Sequence, residues 1–98
     1  MAYIEMARYK LLPDADPNVM KETEAQIQAE VGPKHAGYLG RKLFRAADGS
    51  YVLLMHWENA EAAGSWNSTL FASEAGRKLG SLVDPQSMTK ETLTKIQA

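Results

Sequence analysis

The sequence predicts a ferredoxin-like α+β domain of order β-α-β-β-α-β, a four-stranded antiparallel sheet with its helices on one face. Three observations predict it. Segments of two-residue and of helical periodicity follow one another in that order. The 98 residues make one domain's worth of chain, with no linker, low-complexity tract or repeat dividing residues 1–98. The third strand, Tyr51 to Trp57, is apolar on both of its faces.

Residues 2–11 alternate as a first strand. Tyr3, Ala7, Tyr9 and Leu11 share one face with Glu5, and Ile4 and Met6 lie opposite with Arg8. Asp16 followed by Pro17 is a helix start, a capping carboxylate and then a proline at the first helical position. Met20, Thr23, Ile27 and Val31 recur at helical spacing from there, with Lys21, Glu22, Gln26 and Glu30 left for solvent. Gly32-Pro33 ends this helix, because proline cannot donate the next hydrogen bond. A second strand is expected from Tyr38 to Arg45, and Asp48-Gly49 is a tight-turn signal leading into the third. Asn59 caps a helix through Ala62, Ala63 and Trp66. After an irregular Asn67-Ser68-Thr69, a second amphipathic segment places Phe71, Ala75, Leu79 and Leu82 on one stripe. Asp84-Pro85 stops it, and residues 87–96 alternate as a last strand.

Apolar residues on both faces of the third strand would leave the helix-free side of the sheet exposed in a lone chain. Closing two such sheets face to face is the simplest remedy, so the expected assembly is a homodimer through the open sheet face, a dimeric α/β barrel.

Composition removes several functions. Eleven basic and 12 acidic residues give a formal net charge of -1, so no basic excess exists to neutralise phosphates and nucleic acid is not an expected partner. The absence of cysteine excludes disulfides and thiolate chemistry. The two histidines show no metal-ligand spacing. Neither Ser-His-Asp spacing nor a glycine-rich phosphate loop occurs. The opening MAYIEMARYK is charged where a signal peptide is apolar, and no run is long enough to span a bilayer, so a cytoplasmic protein without a membrane partner is expected.

Gly37-Tyr38-Leu39-Gly40 entering the second strand, and Val52 to Asn59 closing the third with Trp57-Glu58-Asn59, carry a family resemblance. With Trp66 and Phe71 in the second helical region, this stretch resembles the antibiotic-biosynthesis-monooxygenase-like family of dimeric α/β barrels. The resemblance implies a barrel dimer and leaves the chemistry open, because the family includes oxygenases and haem-degrading enzymes. The branch that oxidises aromatic polyketides without a cofactor is similar at Trp57 and Arg77. It departs at Leu53 and Ala63, where that branch has asparagine and tyrosine. The haem-degrading branch is similar at Trp66, but Ala75 stands where its iron-ligating histidine lies, and no asparagine precedes Asn18.

Six residues are singled out. Trp57 either walls a pocket for a planar substrate or is a core tryptophan ending a buried strand. Trp66, beside Ala62, Ala63 and Gly64, has small neighbours that leave room for a cavity. His56 is the one ionisable side chain in the body of the third strand, where a neutral imidazole either accepts a proton from a phenol or enol or is a hydrogen-bonded structural residue. His35, next to Gly32-Pro33, is placed at a pocket entrance or in a plain loop. Arg77 orients an acidic or phenolic oxygen or is a solvated helix charge, and Arg8 anchors a ligand or pairs with Glu5 or Glu58. The function expected is a cofactor-free monooxygenase acting on a small aromatic or enolic substrate, with His56 and Arg77 catalytic and Trp57, Trp66, Arg8 and His35 binding. The alternative is a non-catalytic homodimer that holds a small hydrophobic molecule, haem included.

Overall fold

The computed structural model describes residues 3–96; Ala2 of the expected first strand, with Met1, Gln97 and Ala98, lies outside them. Seven elements follow in order: β1 (Tyr3–Tyr9), α1 (Pro17–Gln26), β2 (Tyr38–Arg45), β3 (Tyr51–Trp57), α2 (Ala60–Ala72), α3 (Glu74–Leu82) and β4 (Thr89–Leu93). The sheet runs β2-β3-β1-β4, every neighbouring pair antiparallel, as the ferredoxin-like reading requires.

The two-residue period of the strands sorts side chains onto two faces. On one face, in register, lie the rows Arg41–Met55–Glu5–Thr92 and Leu43–Leu53–Ala7–Lys90. The helices cover this face, and Glu5, Ala7, Tyr9, Tyr51, Leu53, Met55 and Trp57 are buried on it. The other face carries Gly40–His56–Ile4–Leu93, Lys42–Leu54–Met6–Glu91 and Phe44–Val52–Arg8–Thr89. None of the described elements packs over it, so Ile4, Met6, Val52 and Leu54 are half-buried and Phe44 is 48% exposed.

Several boundaries differ from those read in the sequence. β1 stops at Tyr9 because Lys10 and Leu12 pair instead with the chain leaving α3: Asp84 N donates to Lys10 O at 2.9 Å and Leu12 N to Leu82 O at 2.9 Å. The Asp16 carboxylate caps α1, accepting from Asn18 N at 2.9 Å, but the helix does not continue regularly to Val31. It widens into a π turn over Ile27–Val31 and closes in a 3₁₀ turn over Gly32–Lys34. Asn67-Ser68-Thr69, expected to be irregular, is helical. Its neighbours Trp66 and Leu70 are buried one turn apart, and that packing outweighs the weak helix preference of the polar triplet.

The break falls at Ser73, whose hydroxyl accepts from Gly76 N at 3.0 Å and starts α3. α2 and α3 meet so closely there that a Cβ on Gly76 would overlap the Leu70 carbonyl, so glycine is required for its small size. Asp84 caps a short 3₁₀ turn, Pro85–Ser87, which trims the last strand to Thr89–Leu93.

Candidate active site

A cavity of about 390 Å³ opens between the helix-covered face of the sheet and the α2–α3 pair. β1 and β3 supply its floor through Ala7, Leu53 and Met55. α2 supplies Trp66, Leu70 and Phe71, and α3 supplies Gly76, Leu79 and Gly80. Phe71, expected in the buried stripe, is 49% exposed, as is Met88 at 52% beside the cavity. The residue types explain the space: Ala7 on the sheet and Gly80 on α3 present little bulk to the cavity, whereas Gly76 serves the close approach to Leu70. A largely apolar recess of this size, with a few polar groups, suits a small organic molecule.

The polar groups are Tyr9, Arg41, Asn67 and Lys90. Arg41 is 3% exposed and is held by Glu24 of α1. Its Nε and Nη2 donate to Glu24 Oε1 at 3.1 and 2.6 Å, and Tyr9 Oη donates to Glu24 Oε2 at 2.7 Å. Burial, and next the charge of Glu24, push the Tyr9 phenol well above its ordinary range, so Tyr9 stays protonated as a donor. The guanidinium carbon also lies 5.9 Å from the Trp66 ring centroid, a cation–π contact. At the β4 edge Lys90 Nζ is 3.3 Å from Glu5 Oε2, while Glu5 Oε1 accepts from Trp57 Nε1 at 3.1 Å.

The six residues singled out in the sequence do not converge. Trp66 lines the cavity. Trp57 is fully buried behind it, with ring centroids 5.2 Å apart, and its indole N–H is spent on Glu5. His35 packs edge-on against both indoles; its Nε2 lies 2.8 Å from Ala62 O, which can only accept, and its Nδ1 lies 2.7 Å from Thr69 Oγ1. Both ring nitrogens are therefore engaged in joining the loop before β2 to α2. His56 sits on the opposite face of the sheet, in register with Ile4 and Gly40.

Arg8 is on that face too. It pairs with neither Glu5 nor Glu58, but donates to Ser50 Oγ at 2.9 Å and lies 3.8 Å from Asp48. Arg77 is outside the cavity lining; its Nη1 donates to Phe71 O at 3.1 Å and Ala72 O at 3.0 Å, satisfying the last carbonyls of α2.

Sequence reasoning missed Arg41, Glu24, Tyr9 and Lys90. Tyr38 completes the aromatic cluster, stacking on Trp66 at 5.8 Å, and burial raises its phenol. Its hydroxyl is a buried polar atom with no hydrogen-bond partner among the described residues. No three histidine, aspartate or glutamate side chains among those residues cluster as metal ligands, and no helix there is long and apolar enough to cross a membrane.

No family model matches the chain, and no curated protein matches it either. Solved structures do. SnoaB, a cofactor-independent oxygenase from Streptomyces nogalater, superposes with a TM-score of 0.73 at 17% identity, over 99% of this chain and 95% of that one. A provisionally named antibiotic biosynthesis monooxygenase from Bordetella bronchiseptica gives a TM-score of 0.81 at 16% identity, over 98% of each chain. NE2512 of Nitrosomonas europaea, a protein of unknown function, gives 0.75 at 8% identity, over 99% of this chain and 91% of that one. The chain therefore has the ferredoxin-like α+β fold that these three structures share.

Proposed function

We propose that this chain belongs to the antibiotic-biosynthesis-monooxygenase-like family and acts, as a homodimer, as a cofactor-independent monooxygenase on a small aromatic or enolic substrate. The observation that carries the reading is the apolar cavity with Trp66 on one wall and the buried Arg41 guanidinium among its lining. The shared fold with the oxygenase SnoaB supports it. The uncovered sheet face, with Ile4, Met6, Phe44, Val52 and Leu54 unshielded by the chain, supports the dimer.

In this reading a substrate bearing an activated CH₂ lies flat against Trp66. Solvent at the cavity mouth takes up a proton from that carbon, giving an enolate favoured by the Arg41 charge in surroundings of low polarity, and returns it to the departing oxygen. The electron-rich carbon then reduces dioxygen: one oxygen atom becomes the new carbonyl and the other leaves as water, R₂CH₂ + O₂ → R₂C=O + H₂O. The apolar lining keeps water from competing for the carbanion. His56, across the sheet from the cavity, takes no part in this scheme within one chain.

A second reading, a non-catalytic binder, is favoured by one observation. The carboxylates nearest the cavity, Glu24 and Glu5, are each engaged by a cation, and neither is free to act as a base. Oxygen uptake with anthrone-type substrates separates the two. Stoichiometric consumption, reduced at least about tenfold by Trp66→Leu, is the expected result. Substrate binding with no oxygen consumed would leave the binder standing and remove the enzyme.

A further inference from the structure

The guanidinium of Arg41 is bonded along one edge only. Nε and Nη2, which form its side-on fork, both donate to Glu24 Oε1. The end-on fork, Nη1 with the second N–H of Nη2, meets no oxygen among the described residues: the partner of Nη1 is the Met55 thioether at 3.6 Å, a weak acceptor. Arg41 and Met55 both line the cavity, and Arg41 is 3% exposed. A charged donor buried this deeply and met on that side by a sulfur is a costly arrangement, and an oxygen brought by a ligand in the cavity would complete it.

The pairing behind Arg41 fixes where that fork points. Glu24 comes from α1 and accepts from Tyr9 as well, so the arginine is pinned between helix and sheet, and Met55, the contact of Nη1, shares the cavity lining with it. A second cation repeats the arrangement at the mouth, where Lys90 is tethered from behind by the buried Glu5.

We infer that the cavity takes an aromatic carboxylate, its two oxygens on the end-on fork of Arg41 and its ring system against Trp66. A planar, bidentate match to a carboxylate is what a guanidinium edge offers and a lone ammonium does not. Lys90, 42% exposed, steers the anion to the mouth and is screened by salt. This inference rests on the proposed cavity site and names its ligand class; it does not depend on oxygen chemistry.

The test is calorimetric titration with 2-naphthoate and its neutral isostere 2-naphthamide, on the intact protein. The expected result is naphthoate binding at least about tenfold more tightly than the amide, as a charge-assisted bidentate contact requires. In the paired replacement Glu24→Gln with Arg41→Met, which leaves no buried charge unpaired, that preference falls to about twofold while the amide still binds. Should the double variant fail to fold, Arg41→Lys keeps the charge and loses the fork; naphthoate affinity is then expected to drop at least about fivefold. Equal binding of acid and amide, no binding of either, or a preference that survives these replacements overturns the inference. Naphthoate preference in a protein that consumes no oxygen with any substrate would sink the monooxygenase reading and leave this one intact.

Discussion

Two arginine–carboxylate pairs lie on opposite faces of one sheet and illustrate what each face does. Arg41 and Glu24, on the helix-covered face, meet at 2.6 Å with side chains 3% and 5% exposed. Arg8 and Asp48, on the uncovered face beside the β2–β3 turn, are 3.8 Å apart with side chains 41% and 56% exposed. The first pair is buried and held by its own hydrogen bonds and by Tyr9, with one edge of the guanidinium left over. The second exchanges freely with solvent and ions. Identical chemistry is thus a structural commitment on one face and an incidental contact on the other.

Breaking the inner pair is expected to have the largest effect. Glu24→Ala leaves Arg41 charged, buried and without its counter-ion, and removes the acceptor of Tyr9; a loss of about 3–5 kcal/mol is expected in chemical denaturation. The paired replacement of Glu24 by Gln and Arg41 by Met recovers most of that loss, because no lone charge remains. If Glu24→Ala cost no more than an ordinary surface change, the pair would be wet, and the contrast between the faces would fail.

The strand faces were legible because alternation is strict: Tyr3 to Tyr9 and Tyr51 to Trp57 sort onto two sides with no knowledge of the partner strands. The uncovered face was legible for the same reason, from Val52 and Leu54. The inner pair carried a signal that charge obscured. Glu24 stands four residues after Met20 and three before Ile27, on the apolar stripe of α1, and Arg41 is two residues from Leu43 in β2. Neither was singled out, because a lone charge beside apolar residues does not by itself reveal a buried partner in another element. The register of β2 was beyond the sequence, because the irregularity between Tyr38 and Gly40 changes which residues of that strand face inward.

His56 shows a different limit of reading residues singly. Its neighbour Trp57 is on the helix-covered side, and adjacent residues of a strand point to opposite faces, so within one chain the two do not share a pocket.

Leu53 and Leu54 sharpen the comparison because they are neighbours in the chain and differ only in face. Leu53 is buried beside the cavity, and Leu53→Ala is expected to cost about 2–5 kcal/mol, at the lower end if the cavity absorbs the change. Leu54 is half-buried in the lone chain, so Leu54→Ala there is expected to cost under about 1 kcal/mol. A second copy seated on the open face changes the outcome: Leu54→Ala then costs more, and the extra penalty shrinks as dilution dissociates both proteins. Melting temperatures measured over a hundredfold range of concentration decide between the two. A parent melting temperature that stays constant over that range would count against the homodimer.

The smallest effect belongs to Asp48, and its sign is fixed by the bonds around the turn. Asp48 Oδ1 accepts from Ser50 Oγ at 2.6 Å and from Ser50 N at 2.9 Å. These two bonds, with minor help from Lys10 and Arg8, hold its carboxyl below the ordinary carboxylate range. A carboxyl lowered in the folded state binds fewer protons there than in the unfolded chain. Its contribution is therefore complete above the ordinary carboxylate range and is lost as pH falls through the lowered value. Asp48→Asn is expected to lower the melting temperature slightly near neutral pH, with the gap to the parent protein closing on acidification. Glu24→Gln alone supplies the inner-face counterpart, since it keeps an acceptor for Tyr9 and removes the charge facing Arg41; its penalty at neutral pH is expected to exceed that of Asp48→Asn several-fold. Equal penalties for the two would mean that depth in the sheet does not govern how these pairs behave, and the buried fork of Arg41 would lose its special standing as a ligand anchor.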